Sequence, residues 1–163
     1  MGKGIGGHTK PNSGLSDSWI TPKFIVDALG PFDLDPCASS PQPWACASKS
    51  IALPEDGLAA DWKGRVWLNP PYSNVWEWLN KLARHNNGIA LVFARTETVG
   101  FFREVWEKAD GLLFLRGRLF FHLPSGERGK SNSGGPSVLV AYGEDNKQAL
   151  KNCTLAGAYI GLK

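Results

Sequence analysis

The sequence predicts an α/β layer fold: a single compact domain on a mainly parallel sheet with a late antiparallel strand. Three observations carry that expectation. Short apolar runs alternate with segments of helical periodicity over most of the chain. The run Ile89 to Phe93 is continuous and apolar, as a strand buried on both faces must be. The length, 163 residues, is enough for one sizeable core and short for two. The domain is read as residues 18–163, with residues 1–17, rich in Gly, Lys and Ser, expected to form a flexible lead-in.

Thr21-Pro22 sets a capping side chain before a proline suited to a first helical position; Phe24, Ile25, Ala28 and Leu29 form a face and Gly30 a stop. Phe32 to Pro36 reads as a brief strand opening into a turn of small residues, Cys37 to Ser40. Ile51 to Leu53 is the next short strand, closed by Pro54-Glu55-Asp56-Gly57. Beyond the Lys63-Gly64 turn, Val66 to Leu68 form a strand whose two faces both look buried. Asn74 is placed to cap a helix with Glu77 three residues on, and Val75, Trp78, Leu79 and Leu82 keep helical spacing toward Gly88. After the strand at Ile89 to Phe93, Phe102, Val105, Trp106 and Ala109 predict a second helix ending at Gly111. Leu112 to Leu115, Leu119 to Leu123 and Val138 to Tyr142 read as strands, Glu144 to Lys151 as a small helix, and Ala158 to Ile160 as a closing strand.

Composition narrows the function classes. A hydrophobic fraction of 42% and a charged fraction of 20% belong to a soluble globular chain without a membrane-length apolar run. The net charge of +3 permits nucleic-acid binding without demanding it. Cys37, Cys46 and Cys153 are odd in number and form no Cys-x-x-Cys pair, so neither a disulfide framework nor a zinc site is expected and a reducing cytoplasm fits. His8, His85 and His122 are scattered, and no metal is called for. Gly129-Lys130-Ser131 looks like the end of a phosphate-binding loop, but Pro124 occupies the place of its first glycine.

The chemistry-bearing feature is Asn69-Pro70-Pro71-Tyr72, directly behind Val66-Trp67-Leu68. The prolines fix their own φ and carry no N–H, which keeps the Asn69 and Pro70 carbonyls from being spent in an ordinary helical turn. If a flat heterocycle stacks on Tyr72, its exocyclic amine can donate to the Asn69 side-chain oxygen and the Pro70 carbonyl. Two acceptors on an aromatic amine draw its lone pair out of the ring and make the nitrogen a nucleophile, the reverse in polarity of an oxyanion hole. A lone Asn-Pro-Pro is more often a strand-ending turn than a catalytic site, so its company decides. In parallel sheets ligands bind outside the carboxyl ends of the strands, a rule that places the Asp35-Pro36 turn, Asp56 and the tetrapeptide along one crevice.

That company resembles the small bacteriophage and prophage DNA adenine methyltransferases, from about Ser18 to Tyr142. The marks are Trp19 with Thr21-Pro22, Asp33-Leu34-Asp35-Pro36-Cys37-Ala38, Asp56-Gly57-Leu58 with Trp62, and Asn69-Pro70-Pro71-Tyr72-Ser73. Ala94-Arg95-Thr96-Glu97-Thr98 and Gly117-Arg118-Leu119-Phe120-Phe121 also look like the family. The resemblance implies a Rossmann-like methyltransferase fold and a site-specific, Dam-like enzyme of the host cytoplasm that moves a methyl group from S-adenosylmethionine to the N6 amine of adenine in double-stranded DNA. By the same resemblance Asn69, Pro70, Pro71 and Tyr72 form the adenine site, and Asp35 and Pro36 lie at the methionine end of the cofactor. Physical reading agrees: a carboxylate there suits the cofactor's ammonium, and small Ala38 and Ser39 let the backbone approach. The glycines of the broader methyltransferase pattern are replaced here by Ala38, Ser39 and Ser40. Asp56 is suited to ribose hydroxyls, with Asp61 a rival, and the short stretch before the tetrapeptide implies one missing helix. Trp19, Thr21 and Pro22 read either as cofactor contacts or as a staple and cap. Arg95 reads as an ion-pair member or a DNA contact. Arg116, Arg118, Arg128 and Lys130, in the loop from Arg116 to Pro136, are the DNA-backbone candidates, that loop reading equally as a solvated hairpin. Methylation of a protein glutamine or an RNA amine, and a catalytically dead DNA-binding module, are the alternatives.

Overall fold

The computed structural model describes residues 19–163. The expected lead-in at residues 1–17, with His8, lies outside the described residues. Seven strands form one mixed sheet: β1 (Leu34–Ala38), β2 (Lys49–Ala52), β3 (Val66–Leu68), β4 (Gly88–Phe93), β5 (Gly111–Leu115), β6 (Ser137–Tyr142) and β7 (Gly157–Gly161). Their spatial order is β2-β1-β3-β4-β6-β5-β7. The β1–β2, β1–β3 and β3–β4 pairings are parallel. Those of β6 with β4, β5 with β6 and β7 with β5 are antiparallel. The antiparallel part is therefore half of the pairings, larger than the single late strand expected. The cause is that a strand buried on both faces has the same apolar pattern in either direction, as β6 does from Ser137 to Tyr142.

Alternation along the strands divides the core between the two faces. Leu34, Val66, Leu68, Ala90, Val92, Val138, Val140 and Tyr142 pack under helix α2 (Val75–His85) and the Phe101–Ala109 segment. Trp67, Ile89, Leu91, Leu139 and Ala141 face α1 (Lys23–Leu29) and α4 (Glu144–Asn152) on the other side. No α-helix lies between β1 and β3, so the segments on either side of β2 are loops.

Three local expectations are corrected. Helix α1 begins one residue later than its cap-and-proline signal implied: Pro22 is the N-cap and no side chain caps the helix. The Thr21 hydroxyl is occupied elsewhere, as an acceptor from Asn69. Asn74 likewise caps nothing, because its Oδ1 accepts from the Trp78 indole at 3.1 Å. Leu119 to Leu123 form no ladder strand; His122 makes isolated bridges to Ile20 and Arg128.

The helix expected over Phe102 to Ala109 is one α-helical turn, α3 (Val99–Phe101), continued as a π-helix over Phe102–Trp106. The residues it buries are Phe101, Val105 and Ala109, four apart, while Phe102 is exposed. A spacing of four drifts off the face of a 3.6-residue helix, and winding with an i→i+5 bond, such as Glu107 N–H to the Phe102 carbonyl at 3.0 Å, keeps the three in line. The segment also carries buried Glu104, held by Arg103, Lys108 and Asn80. Its backbone carbonyl accepts from the fully buried Tyr142 hydroxyl at 2.6 Å. Replacing that hydroxyl, Tyr142→Phe, should lower unfolding free energy in urea by about 1–2 kcal/mol, because the carbonyl loses a partner where water cannot reach.

Candidate active site

The chain leaves β1 for one side of the sheet at β2 and returns on the other at β3, which makes the carboxyl ends of β1 and β3 a switch point. A cavity of about 450 Å³ opens there, lined by Trp19, Thr21, Asp35, Pro36, Ala38, Asp56 and Asn69 among others. The crevice expected from the strand-end rule is thus a single space. Pro22 and Asp61 do not line it, whereas Asp56 does, which favours Asp56 over its rival as a wall carboxylate.

Asp35 is the unusual group. It is 5% exposed, and its Oδ1 accepts the Cys37 N–H at 3.2 Å. No Lys or Arg pairs with it among the described residues. Burial raises its pKa to about 7, a rise only partly offset by the Cys37 hydrogen bond. A buried carboxylate on a cavity wall with no cation of its own is suited to a cationic ligand.

The loop that carries Asp56 closes directly on β1. A Cβ on Gly57 would fall 1.8 Å from the Pro36 carbonyl oxygen, so only glycine lets the Asp56 loop close on the end of β1. The Trp62 indole donates to the Gly57 carbonyl at 2.8 Å and stacks on Trp78, holding the loop against α2. Asp56 Oδ1 accepts the Leu58 N–H at 2.9 Å. Gly57, Glu55, Gln42 and Trp78 belong to this wall and were not singled out from sequence as site residues. Of these only Gly57 carried a usable signal, a glycine directly after the turn carboxylate.

Of the tetrapeptide, Asn69 and Pro71 line the same cavity, and Pro70 and Tyr72 do not. Asn69 Nδ2 donates to the Trp19 carbonyl at 2.9 Å and to Thr21 Oγ1 at 3.2 Å. A carbonyl only accepts, which fixes the nitrogen end of the amide toward Trp19. Oδ1 therefore faces away from that pair and accepts nothing among the described residues, and no turn or loop hydrogen bond falls on the Pro70 carbonyl. The Tyr72 ring is 40% exposed and stacks on Phe93, centroids 4.3 Å apart and planes within 8°.

Trp19 to Thr21 is tied at both ends. Ile20 exchanges two backbone hydrogen bonds with His122, at 2.9 and 3.0 Å, and the Trp44 indole donates to the Thr21 carbonyl at 3.0 Å. The β5–β6 connection that includes His122 carries Arg116, Arg118, Arg128 and Lys130, all exposed and outside any ion pair among the described residues. Arg128 lies over the Phe120 ring at 3.9 Å. Arg95, also exposed, stands 5.8 Å from the Phe93 ring centre, and its reading as an ion-pair member finds no partner among the described residues.

The raised pKa of Asp35 has a signed consequence for stability. Between about pH 4 and 7 the folded state holds a proton that the unfolded state has released, so stability falls as pH rises through that window. Asp35→Asn should raise the thermal midpoint markedly at pH 8 and little at pH 4, followed by circular dichroism at both.

The family described as DNA N-6-adenine-methyltransferase (Dam) matches residues 8–154. A DNA N-6-adenine-methyltransferase of Haemophilus phage HP1 is 29% identical over 149 residues, covering 82% of this chain and 84% of that protein. One of Escherichia phage T1 is 30% identical over 159 residues, covering 82% of this chain and 65% of the phage T1 protein. No solved structure matches. Among the described residues no helix is long and apolar enough to cross a membrane, and no cluster of His, Cys, Asp or Glu could hold a metal ion. Among the chemistries open to an Asn-Pro-Pro-Tyr turn, the match selects adenine in DNA: the chain belongs to the DNA N-6-adenine-methyltransferase family.

Proposed function

We propose that the cavity binds S-adenosylmethionine and that the Asn69 turn receives an adenine rotated out of double-stranded DNA. The observation that carries this reading is the oriented Asn69 amide: its nitrogen is engaged by Trp19 and Thr21, its oxygen has no partner among the described residues, and Asn69 lines the same cavity as Asp35, a buried carboxylate with no cation beside it among those residues. The strand order supports assigning the sheet to the Rossmann-like methyltransferase class, with a shortened connection where one helix was expected missing and both loops beside β2 lack one.

The residues present fit the cofactor. Asp35 suits its ammonium and Asp56 its ribose hydroxyls, while Gly57 keeps the two walls close enough to share one ligand. Trp19, Thr21, Pro36 and Ala38 complete its surroundings; Pro22 acts indirectly, by starting α1 beside Thr21. When bound, the cofactor supplies a methyl group already activated on a sulfonium centre. The protein's part is placement. Asn69 Oδ1 and the Pro70 carbonyl accept the two N6 hydrogens and bring the nitrogen lone pair forward, Pro71 holds the turn, and Tyr72 stacks on the base. Holding both partners in line is worth on the order of 7 to 11 kcal/mol in favourable cases, against a few kcal/mol for unstacking the base. Arg116, Arg118, Arg128 and Lys130 grip the duplex backbone. The place of action is the bacterial host cytoplasm.

Mass spectrometry of nucleosides from host DNA after expression should show N6-methyladenine with the wild-type protein and none with Asn69→Ala. That substitution should lower the transfer rate on the order of 10²–10³-fold or more and leave cofactor affinity within a few-fold. Asp35→Ala should weaken cofactor binding about 10- to 100-fold in calorimetry; unchanged binding would remove Asp35 from that role. Wild-type affinity for the cofactor should rise with pH up to about 7 and level off above it, because binding draws on the ionised Asp35. Arg118→Ala should weaken DNA binding and flatten its dependence on salt.

A further inference from the structure

Tyr72 is exposed on a short turn, and its hydroxyl makes no hydrogen bond among the described residues. What orients its ring is the parallel contact with Phe93. Phe93 ends β4, and the backbone at Gly135 also lies against its ring: a Cβ there would stand 3.2 Å from ring atom Cδ1, 3.3 Å from Cε1 and 3.6 Å from Cγ. That backbone is itself fixed. Ser133 Oγ donates to the Gly135 carbonyl at 2.9 Å, and the Ala94 N–H to the Pro136 carbonyl at 2.9 Å. No other aromatic ring is stacked on Tyr72 among the described residues.

We infer that Phe93 is a positioning residue for methyl transfer, the middle layer of a stack in which the Gly135 backbone backs Phe93, Phe93 backs Tyr72 and Tyr72 backs the target base. The inference rests on the reading of Tyr72 as the base platform. Its consequence is mechanical: the wall behind the platform belongs to the β5–β6 connection, the same segment that carries Arg116, Arg118, Arg128 and Lys130. A hydrogen-bonded base edge tolerates little tilt, so a ring free to rotate would present the amine to Asn69 at the wrong angle. Phe93 does not touch substrate on this account; it acts through Tyr72.

The test compares Phe93→Leu, which keeps apolar volume and removes the π face, with Phe93→Tyr, which retains it, and with Gly135→Ala, which pushes the ring from behind. Transfer to duplex DNA is measured as kcat and KM, cofactor binding by calorimetry, and the Tyr72 ring protons by NMR without DNA or cofactor. Phe93→Leu should lower kcat/KM about threefold to tenfold, leave cofactor affinity within about twofold, and move the Tyr72 ring protons downfield as the neighbouring ring current is lost. Phe93→Tyr should match wild type in all three, and Gly135→Ala should fall in the same direction as Phe93→Leu. An active wild type with an unimpaired Phe93→Leu variant, or a Phe93→Tyr variant no better than Phe93→Leu, overturns the inference alone. A wild type that leaves DNA unmethylated overturns the underlying functional reading with it.

Discussion

The site depends on where one amide points. With Nδ2 of Asn69 committed to the Trp19 carbonyl and the Thr21 hydroxyl, rotation about the last side-chain bond would set oxygen against oxygen, so Oδ1 is held facing away from them. The same contact organises the surroundings. It draws the segment before α1 across the end of β3, and Ile20 in that segment is bridged to His122. A single hydrogen-bonded chain therefore runs from the β5–β6 connection through Trp19–Thr21 to the end of β3, and a disturbance at any link reaches the acceptor.

Around that point the fold accepts local disadvantage. Asp35 is buried without a cation among the described residues, a position that favours its neutral form and detracts from stability once it ionises. The cost is borne by the cores on the two sheet faces, where β3, β4 and β6 bury nearly every side chain. Asp35 lies within β1 and Asn69 directly after β3, so strands hold these two groups while a loop supplies Asp56. On the proposed function, the carboxylate most unfavourable to the empty protein is the one most useful to a cationic ligand.

Much of this was legible in the sequence, for identifiable reasons. β3 and β4 stand out as apolar runs between turn residues, and the prolines of the tetrapeptide mark where β3 must stop. The strand-end rule then gathered Asp35, Asp56 and Asn69 correctly into one crevice. What escaped were features set by contacts between distant segments. Thr21 has the chemistry of a helix cap and is instead a partner of Asn69, forty-eight positions away. Asn74 has the same chemistry and is taken by Trp78. The spacing of Phe101, Val105 and Ala109 falls between helical periods, so the π winding emerges only when the sheet below requires those three in line. Gly135 looks like an ordinary loop glycine until a ring is found against it.

The bare end of the sheet has a thermodynamic corollary. With no helix between β1 and β3, the segments that join them through β2 are loops, and both contribute to the cavity lining. A ligand that fills that space touches both loops and the strand ends at once. Occupancy and folding are then linked by mass action: a ligand at one hundred times its dissociation constant adds about 2.7 kcal/mol to the unfolding free energy. Protease resistance and melting temperature then become reporters of occupancy.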